Sequence, residues 1–399
     1  MIKELRQTFN SNFKQEVYHN LQEFIVNKYD HRPPFRIAES PIFLPDTLVC
    51  QLLEACEELV DVIARSDFKE RSERALLTGQ TVPAETDHPT FLQFDFGICQ
   101  DSNGGYLPQL IEAQGFPSLY FFQDALAAAY RRFYDVPAHF THLFDGLDSA
   151  GYVERLRKAI VGDSDPENVI LLEVEPDKQV TQVDFIATER AIGVHPVCIS
   201  KLIKDGLDLY YEKDGRKIQV EKIYNRVIFD ELIKRDDLPR QFYLTEEANV
   251  KWVGHPNWFF RISKHTLPLL NSHYVPKSFY LDQLPEIPSD LENYVLKPLF
   301  SFAGTGVIIN LNRFDVESIK DPENYILQKK VTYAPVIETP SGPAKCEIRV
   351  MLLWEPGAAR PHVINNLIRI SKGEMVGVRY NKDKDWVGGS VGFYDPTIL

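Results

Sequence analysis

The sequence predicts an α+β protein with a small α/β lobe in its middle, and three observations predict it. Apolar residues at helical spacing fill 1–30 and 46–66, a strand–helix–strand order begins near 168, and two long apolar strands end the chain. A chain of 399 residues that is 44 % hydrophobic and 12 % aromatic holds ample material for a core, and its length suggests two or three lobes.

The N-terminal helical segment is interrupted by RPPF and SPIFLP, whose prolines break a helix. DTLVCQLLEACEELVDVIARS (46–66) resumes it. FLQFDFGIC (91–99) and YLPQLIEAQ (106–114) read as two strands joined by the hairpin-turn residues DSNGG, and SLYFFQDALAAAYRRFY starts a helix. Near 151 the texture changes. NVILLEVE is a buried-strand run, KQVTQVDFIATERAIG a helix closed by Gly193, and HPVCIS a second strand. LDLYYEKDGRKIQVEKIYNRVIF adds a hairpin and a further strand, so parallel pairing is expected in a lobe spanning 151–250. From 251 to 399, ISKHTLPLLN is helical, and YVLKPLFSFAGTGVIIN is strand, glycine loop, strand. DVESIKDPENY is a short helix, YILQKKV a strand, and KCEIRVMLLW with PHVINNLIRIS a pair of long strands. The expected division is therefore 1–150, 151–250 and 251–399.

A net charge of -13 and a pI near 5.3 argue against wholesale binding to a nucleic-acid backbone, so any phosphate chemistry needs a local basic site. Cys50, Cys56, Cys99, Cys198 and Cys346 are odd in number and form no CxxC pair, which reads as buried free thiols in a reducing compartment. The N-terminal stretch is amphipathic and charged, and no apolar run reaches the ~18 residues of a membrane span. A soluble cytoplasmic protein is expected.

Four segments carry candidate chemistry. In KPLFSFAGTGV, Lys297 ends a buried strand and a glycine loop follows; glycine lets backbone N–H groups approach a phosphate and lysine adds a point charge. The GK[ST] ending of a Walker motif is absent, and the segment also reads as an ordinary hairpin. YILQKKV has the character of an adenine slot, or of a surface strand with solvated lysines. Glu347 and Arg349 share one strand face, and Arg369 sits among apolar neighbours in LIRIS, which calls for a partner or a ligand. Finally Asp95, with Glu112 and Gln114 on the paired strand, offers hard oxygens that suit magnesium.

Together these pieces resemble the ATP-grasp superfamily, in its circularly permuted branch that includes eukaryotic-type glutathione synthetase and glutathionylspermidine synthase-like ligases. FLQFDFGICQDSNGGYLPQLIEAQGFPS is similar to the metal-binding strand pair that closes an ordinary ATP-grasp domain, yet here it precedes the lysine strand. The resemblance implies a permuted ATP-grasp fold with a Rossmann-like pre-ATP-grasp substrate lobe. It implies ATP and Mg2+ as cofactors, and small-molecule acid and amine substrates, with no nucleic-acid or membrane partner; dimers are common among relatives. It places Lys264 of RISKHTL and Lys297 of VLKP on ATP phosphates, and Ser301, Gly304 and Gly306 of SFAGTG in the loop that folds over them. Gln328, Lys329 and Val331 would line the adenine pocket, with Glu347 near ribose or metal. Asp95, Glu112 and Gln114 would hold magnesium. Arg349 and Arg369 would be catalytic, stabilising an acyl phosphate or holding the acid, and Arg226, Gly388 and Gly389 would join Arg369 in binding substrate.

Three positions depart from the family's pattern. Gln114 stands for asparagine, Gln93 for an arginine, and Ser301 for an acidic ligand in the glycine loop. The activity implied is an ADP-forming carbon–nitrogen ligase working through an acyl phosphate. The alternatives are a phosphotransferase on the same fold, or a nucleotide-binding protein without turnover, for which the Ser301 and Gln114 departures speak.

Overall fold

The computed structural model describes residues 1–299, 306–373, 376, 381 and 383–398. The N-terminal segment forms two helices, Lys3–Asn12 and Gln15–Tyr29, because Phe13 and Lys14 are extended. Helix Asp46–Ile63 turns Leu48, Leu52, Cys56, Leu59 and Ile63 inward. Burial of each large apolar side chain contributes about 2 kcal/mol, so this stripe holds the helix more firmly than its propensity does. The thiols follow that geometry. Cys56, Cys99 and Cys346 are buried, but Cys50 is exposed and Cys198 half-buried, a correction to the expectation of five buried thiols. Apolar neighbours in sequence do not bury a helical residue that lies off the apolar stripe.

That helix packs on a five-stranded antiparallel sheet. Its strand order is Gly388–Ser390, His362–Ser371, Lys345–Leu353, Phe91–Gln100, Tyr106–Gln114. Segments some 250 residues apart in sequence are thus hydrogen-bonded neighbours, with Asp95 opposite Arg349. Strand alternation sends Leu92, Phe94, Phe96, Ile348 and Val350 to the helix-covered face. On the opposite face, Phe91, Met351 and Leu353 join a second core with helix Tyr120–Phe133. The rest of that face carries the polar cluster described below.

The middle lobe has the expected parallel pairing. Strands Lys251–Val253, Lys222–Asn225, Val169–Glu173 and His195–Cys198 lie in that order, all parallel. Helix Gln182–Ile192 makes the crossover and ends at Gly193, whose φ of 76° supplies the left-handed cap. The fourth strand lies just past the expected boundary at 250. Helix Ser149–Ile160 was not legible in advance, although Asp148 caps it by accepting from the Gly151 N–H.

Arg226 leaves this sheet beside Tyr224 and Asn225 and is committed to Asp184 at 2.8 Å, the two side chains being 2 % and 0 % exposed. Asp184 also accepts from the backbone N–H groups of Leu119, Phe121 and Phe122 at the start of helix Tyr120–Phe133. The resemblance gives Arg226 a substrate contact; in the structure its Nη1 takes part in a buried junction between helix and lobe, while its buried Nε has no hydrogen-bond partner among the described residues. Asp184→Ala leaves a buried guanidinium and three orphan donors, so a stability loss of about 3–5 kcal/mol is expected in urea unfolding. A loss below about 1 kcal/mol would show the junction to be relaxed by water.

A third sheet is small and antiparallel, with strands ordered Ser278–Tyr280, Tyr325–Lys329, Tyr294–Pro298. It has its own core of Leu281, Leu291, Leu296, Leu311, Val316 and Leu327. Ile308 makes an isolated antiparallel bridge back to Leu296, and among the described residues the expected return strand goes no further than that one pair. Ser301 and Gly304 lie outside the described residues, and Gly306 holds a φ of 75°. No helix among the described residues is long and apolar enough to cross a membrane.

Candidate active site

The polar face of the five-stranded sheet is assembled by register. Gln93 faces Gln114 and Asp95 faces Glu112 across the hairpin. On the next strands Arg349 lies opposite Asp95, and Glu347 lies between Gly97 and Arg369. The hairpin does not alternate plainly. Phe96 pairs with Leu110, so Ile111 is an extra residue, a β-bulge beside the cluster. Its carbonyl accepts from Lys297 Nζ at 3.1 Å, which draws the third sheet onto the first.

Asp95 is 1 % exposed and grips Arg349 with both oxygens, at 2.6 Å to Nε and 2.8 Å to Nη2. Its Oδ2 also accepts from Arg369. Burial alone would raise the Asp95 carboxyl, but the two guanidiniums outweigh it and bring the pKa down to about 2. Glu347 bridges Arg369, at 2.8 Å, and the Tyr333 hydroxyl. Its pKa is raised, by burial first and then by Asp95 and Glu112, against the pull of Arg369. Arg369 is held charged by Asp95 and Glu347 against its burial. Its Nε is buried and has no hydrogen-bond partner among the described residues.

The lysines complete the cluster. Lys264 starts a short 3-10 turn capped by Ser263, and its Nζ stands 3.9 Å from Glu112. Lys297, at the end of strand Tyr294–Pro298, has a pKa lowered to about 8: burial and Lys264 push it down, Glu112 and Glu347 pull it up. Four cations, Lys264, Lys297, Arg349 and Arg369, thus meet three carboxylates, Asp95, Glu112 and Glu347. Four cations against three carboxylates leave a locally positive corner on a chain whose net charge is -13.

Gln328 sits beside Lys297's strand, opposite Val295. It is 1 % exposed, and its Nε2 has no hydrogen-bond partner among the described residues. The Lys329 N–H is spent on the Lys277 carbonyl at 2.9 Å, and Val331 follows the strand half-buried. Gly388 and Gly389 form an edge strand against Ile370 and Arg369. A Cβ on Gly388 would lie 2.3 Å from the Arg36 carbonyl oxygen at a φ of 123°, so glycine is required there by the backbone of 36.

Magnesium fits this donor set in part. Asp95 has both oxygens on guanidiniums, with two contacts on Oδ2 and one on Oδ1, so a metal would compete with Arg349 and Arg369 for it. Glu112 and Gln114 retain oxygens on one face. Among the described residues no three His, Cys, Asp or Glu side chains are grouped as a metal ion would need.

A solved structure with this architecture is a glutathione synthetase-like effector from Globodera pallida, in its apo form. The alignment covers 98 % of this chain and 97 % of that one, with a TM-score of 0.60 and 11 % sequence identity. The fold is glutathione synthetase-like. No protein-family model matches the chain, and no curated protein does either.

Two structural features of this cluster escaped the sequence reading. The bulge at Ile111 left no compositional trace. Tyr333 did leave a signal: Gly97 in the middle of a strand marks a close approach, and a Cβ there would lie 2.7 Å from Tyr333 Cε1.

Proposed function

We propose that this protein is an ATP-dependent carboxylate–amine ligase of the circularly permuted ATP-grasp type, using ATP and Mg2+. The observation that carries the reading is the meeting of Lys297, Glu112 and Arg369, from three distant segments, in one positive corner beside the unsatisfied Gln328 amide. The parallel lobe and the glutathione synthetase-like fold agree with it.

In this mechanism Lys264 and Lys297 hold the phosphates of ATP, and Gln328, Lys329 and Val331 border the adenine. Arg369, through its unpartnered Nε, receives the acid's carboxylate and aims one oxygen at the γ-phosphorus. That oxygen forms a bond to phosphorus as the bond to ADP breaks, giving an acyl phosphate. The amine then attacks the acyl carbon, loses a proton to solvent, and phosphate departs with the C–O electron pair. Little protein chemistry is needed beyond positioning and neutralisation. Magnesium, held by Glu112 and Gln114, would neutralise charge on the transferred phosphate. Arg349 acts at one remove, fixing Asp95 and through it Arg369.

ADP release from Mg-ATP, screened over amino acids, short peptides and polyamines, tests this. A ligase gives ADP that depends on both an acid and an amine, with an amide product. A phosphorylated product stable to amine would make it a phosphotransferase. Nucleotide binding with no turnover under any mixture would favour a binding protein. The commitment of Asp95 to two arginines is the observation on that side.

A further inference from the structure

Tyr333 lies on the segment that leaves the Gln328 strand, and it belongs to no role assigned so far. Its neighbour Ala334 donates its N–H to the Ile98 carbonyl at 2.9 Å, which pins the segment to the strand of Asp95. The ring then crosses Gly97, the residue directly opposite Glu347, at a distance that no side chain at 97 would permit. The hydroxyl donates to one oxygen of Glu347, and the other oxygen of Glu347 holds Arg369 Nη2 at 2.8 Å. Two side-chain contacts therefore connect the border of the adenine slot to the arginine whose Nε meets no acceptor among the described residues.

We infer that Tyr333 is a positioning residue: by fixing Glu347 it aims Arg369 at an incoming anion and ties that aim to the seating of the nucleotide strand. The inference rests on the ligase reading for the identity of the anion, a substrate carboxylate, but not for the contact itself. With the hydroxyl gone, Arg369 is the one side-chain partner left to Glu347 among the described residues. The guanidinium, already shared with Asp95, is drawn down onto the two carboxylates. Its unpartnered Nε–H loses direction while the phosphate lysines are untouched.

Tyr333→Phe removes one donor and no ring volume, so folding is preserved and the effect is local. Inorganic phosphate, titrated into the ADP complex and followed by calorimetry, serves as the anion probe for the Arg369 corner. Phosphate binding is expected to weaken about tenfold, the scale of one hydrogen bond to a charged group, while ADP affinity changes less than about twofold. In a Glu347→Gln background the same Tyr333→Phe change should have little further effect, because both act through one contact. Gly97→Ala, which pushes the ring aside with its hydroxyl intact, should reproduce the phosphate loss. Unchanged phosphate affinity in Tyr333→Phe, or equal losses for phosphate and ADP, would overturn the inference. If the wild type forms no ADP complex, the lysine assignment fails, and the phosphate titration, run without nucleotide, still decides the role of Tyr333. Absence of ADP release in the substrate screen would sink the ligase reading while leaving this comparison intact.

Discussion

Lys297→Ala is expected to weaken ADP binding by about 30–100-fold in isothermal calorimetry, the loss of one or two charge-assisted hydrogen bonds in a half-buried corner. The melting temperature should hold or rise slightly, because the folded state now carries this ammonium at a cost: its pKa is lowered to about 8. The pH dependence has a definite sign. Below about pH 7 the lysine is charged and ADP binds at full strength; as pH rises through about 8 the charge is lost and affinity falls toward that of the alanine variant. Bound phosphate will hold the proton longer, so the midpoint in the complex lies above the free value. Unchanged affinity in Lys297→Ala, with no pH step, would mean that the lysine serves only the Ile111 carbonyl.

Asp95→Ala carries an expected stability effect as large as that of Asp184→Ala. It strands Arg349, which is 6 % exposed, and frees one hold on Arg369. Removing one partner of a buried pair costs about 3–5 kcal/mol, to be read from urea unfolding. Asp95→Ala combined with Arg349→Met removes both charges and should recover most of that loss; if it does not, the cost lies in packing instead. The linkage is also explicit. The Asp95 pKa falls from 3.8 in the unfolded chain to about 2 in the fold, so its contribution of about 2 kcal/mol is complete above about pH 4. It is lost as pH drops through about 2. Glu347, whose pKa is raised, contributes in the opposite sense and favours the folded state more as it becomes protonated.

Much of the architecture was legible because the patterns were local. The hairpin at 91–114, the crossover helix closed by Gly193 and the long C-terminal strand pair follow from alternation, turn residues and a left-handed cap. Pairing was not. Nothing in FLQFDFGIC says that it will lie against KCEIRVMLL, since both have the same apolar alternation and register is set by the assembled core. The same limit governs the candidate site. Residue types pointed to Asp95, Glu112 and Lys297, but whether a carboxylate faces a guanidinium or an open edge depends on the neighbouring strand. Asp95 and Arg226 each show an ion pair where the resemblance implied a ligand contact.

The bulge at Ile111 gives the strand Tyr106–Gln114 a change of parity. Before it, the even-numbered Pro108 and Leu110 point into the helix-covered core; after it the odd-numbered Ala113 does, and the even-numbered Glu112 and Gln114 are released to the charged face. The chain counts in twos, skips once, and resumes in the other phase. Deleting that single residue would leave every remaining side chain in place by composition, yet one half of the strand would have to present its contents to the wrong environment. Either a carboxylate would enter hydrocarbon, or Leu110 would enter the charged corner. A single uncounted residue is therefore what allows one strand to serve as wall for the core along half its length and as floor for the charged cluster along the other.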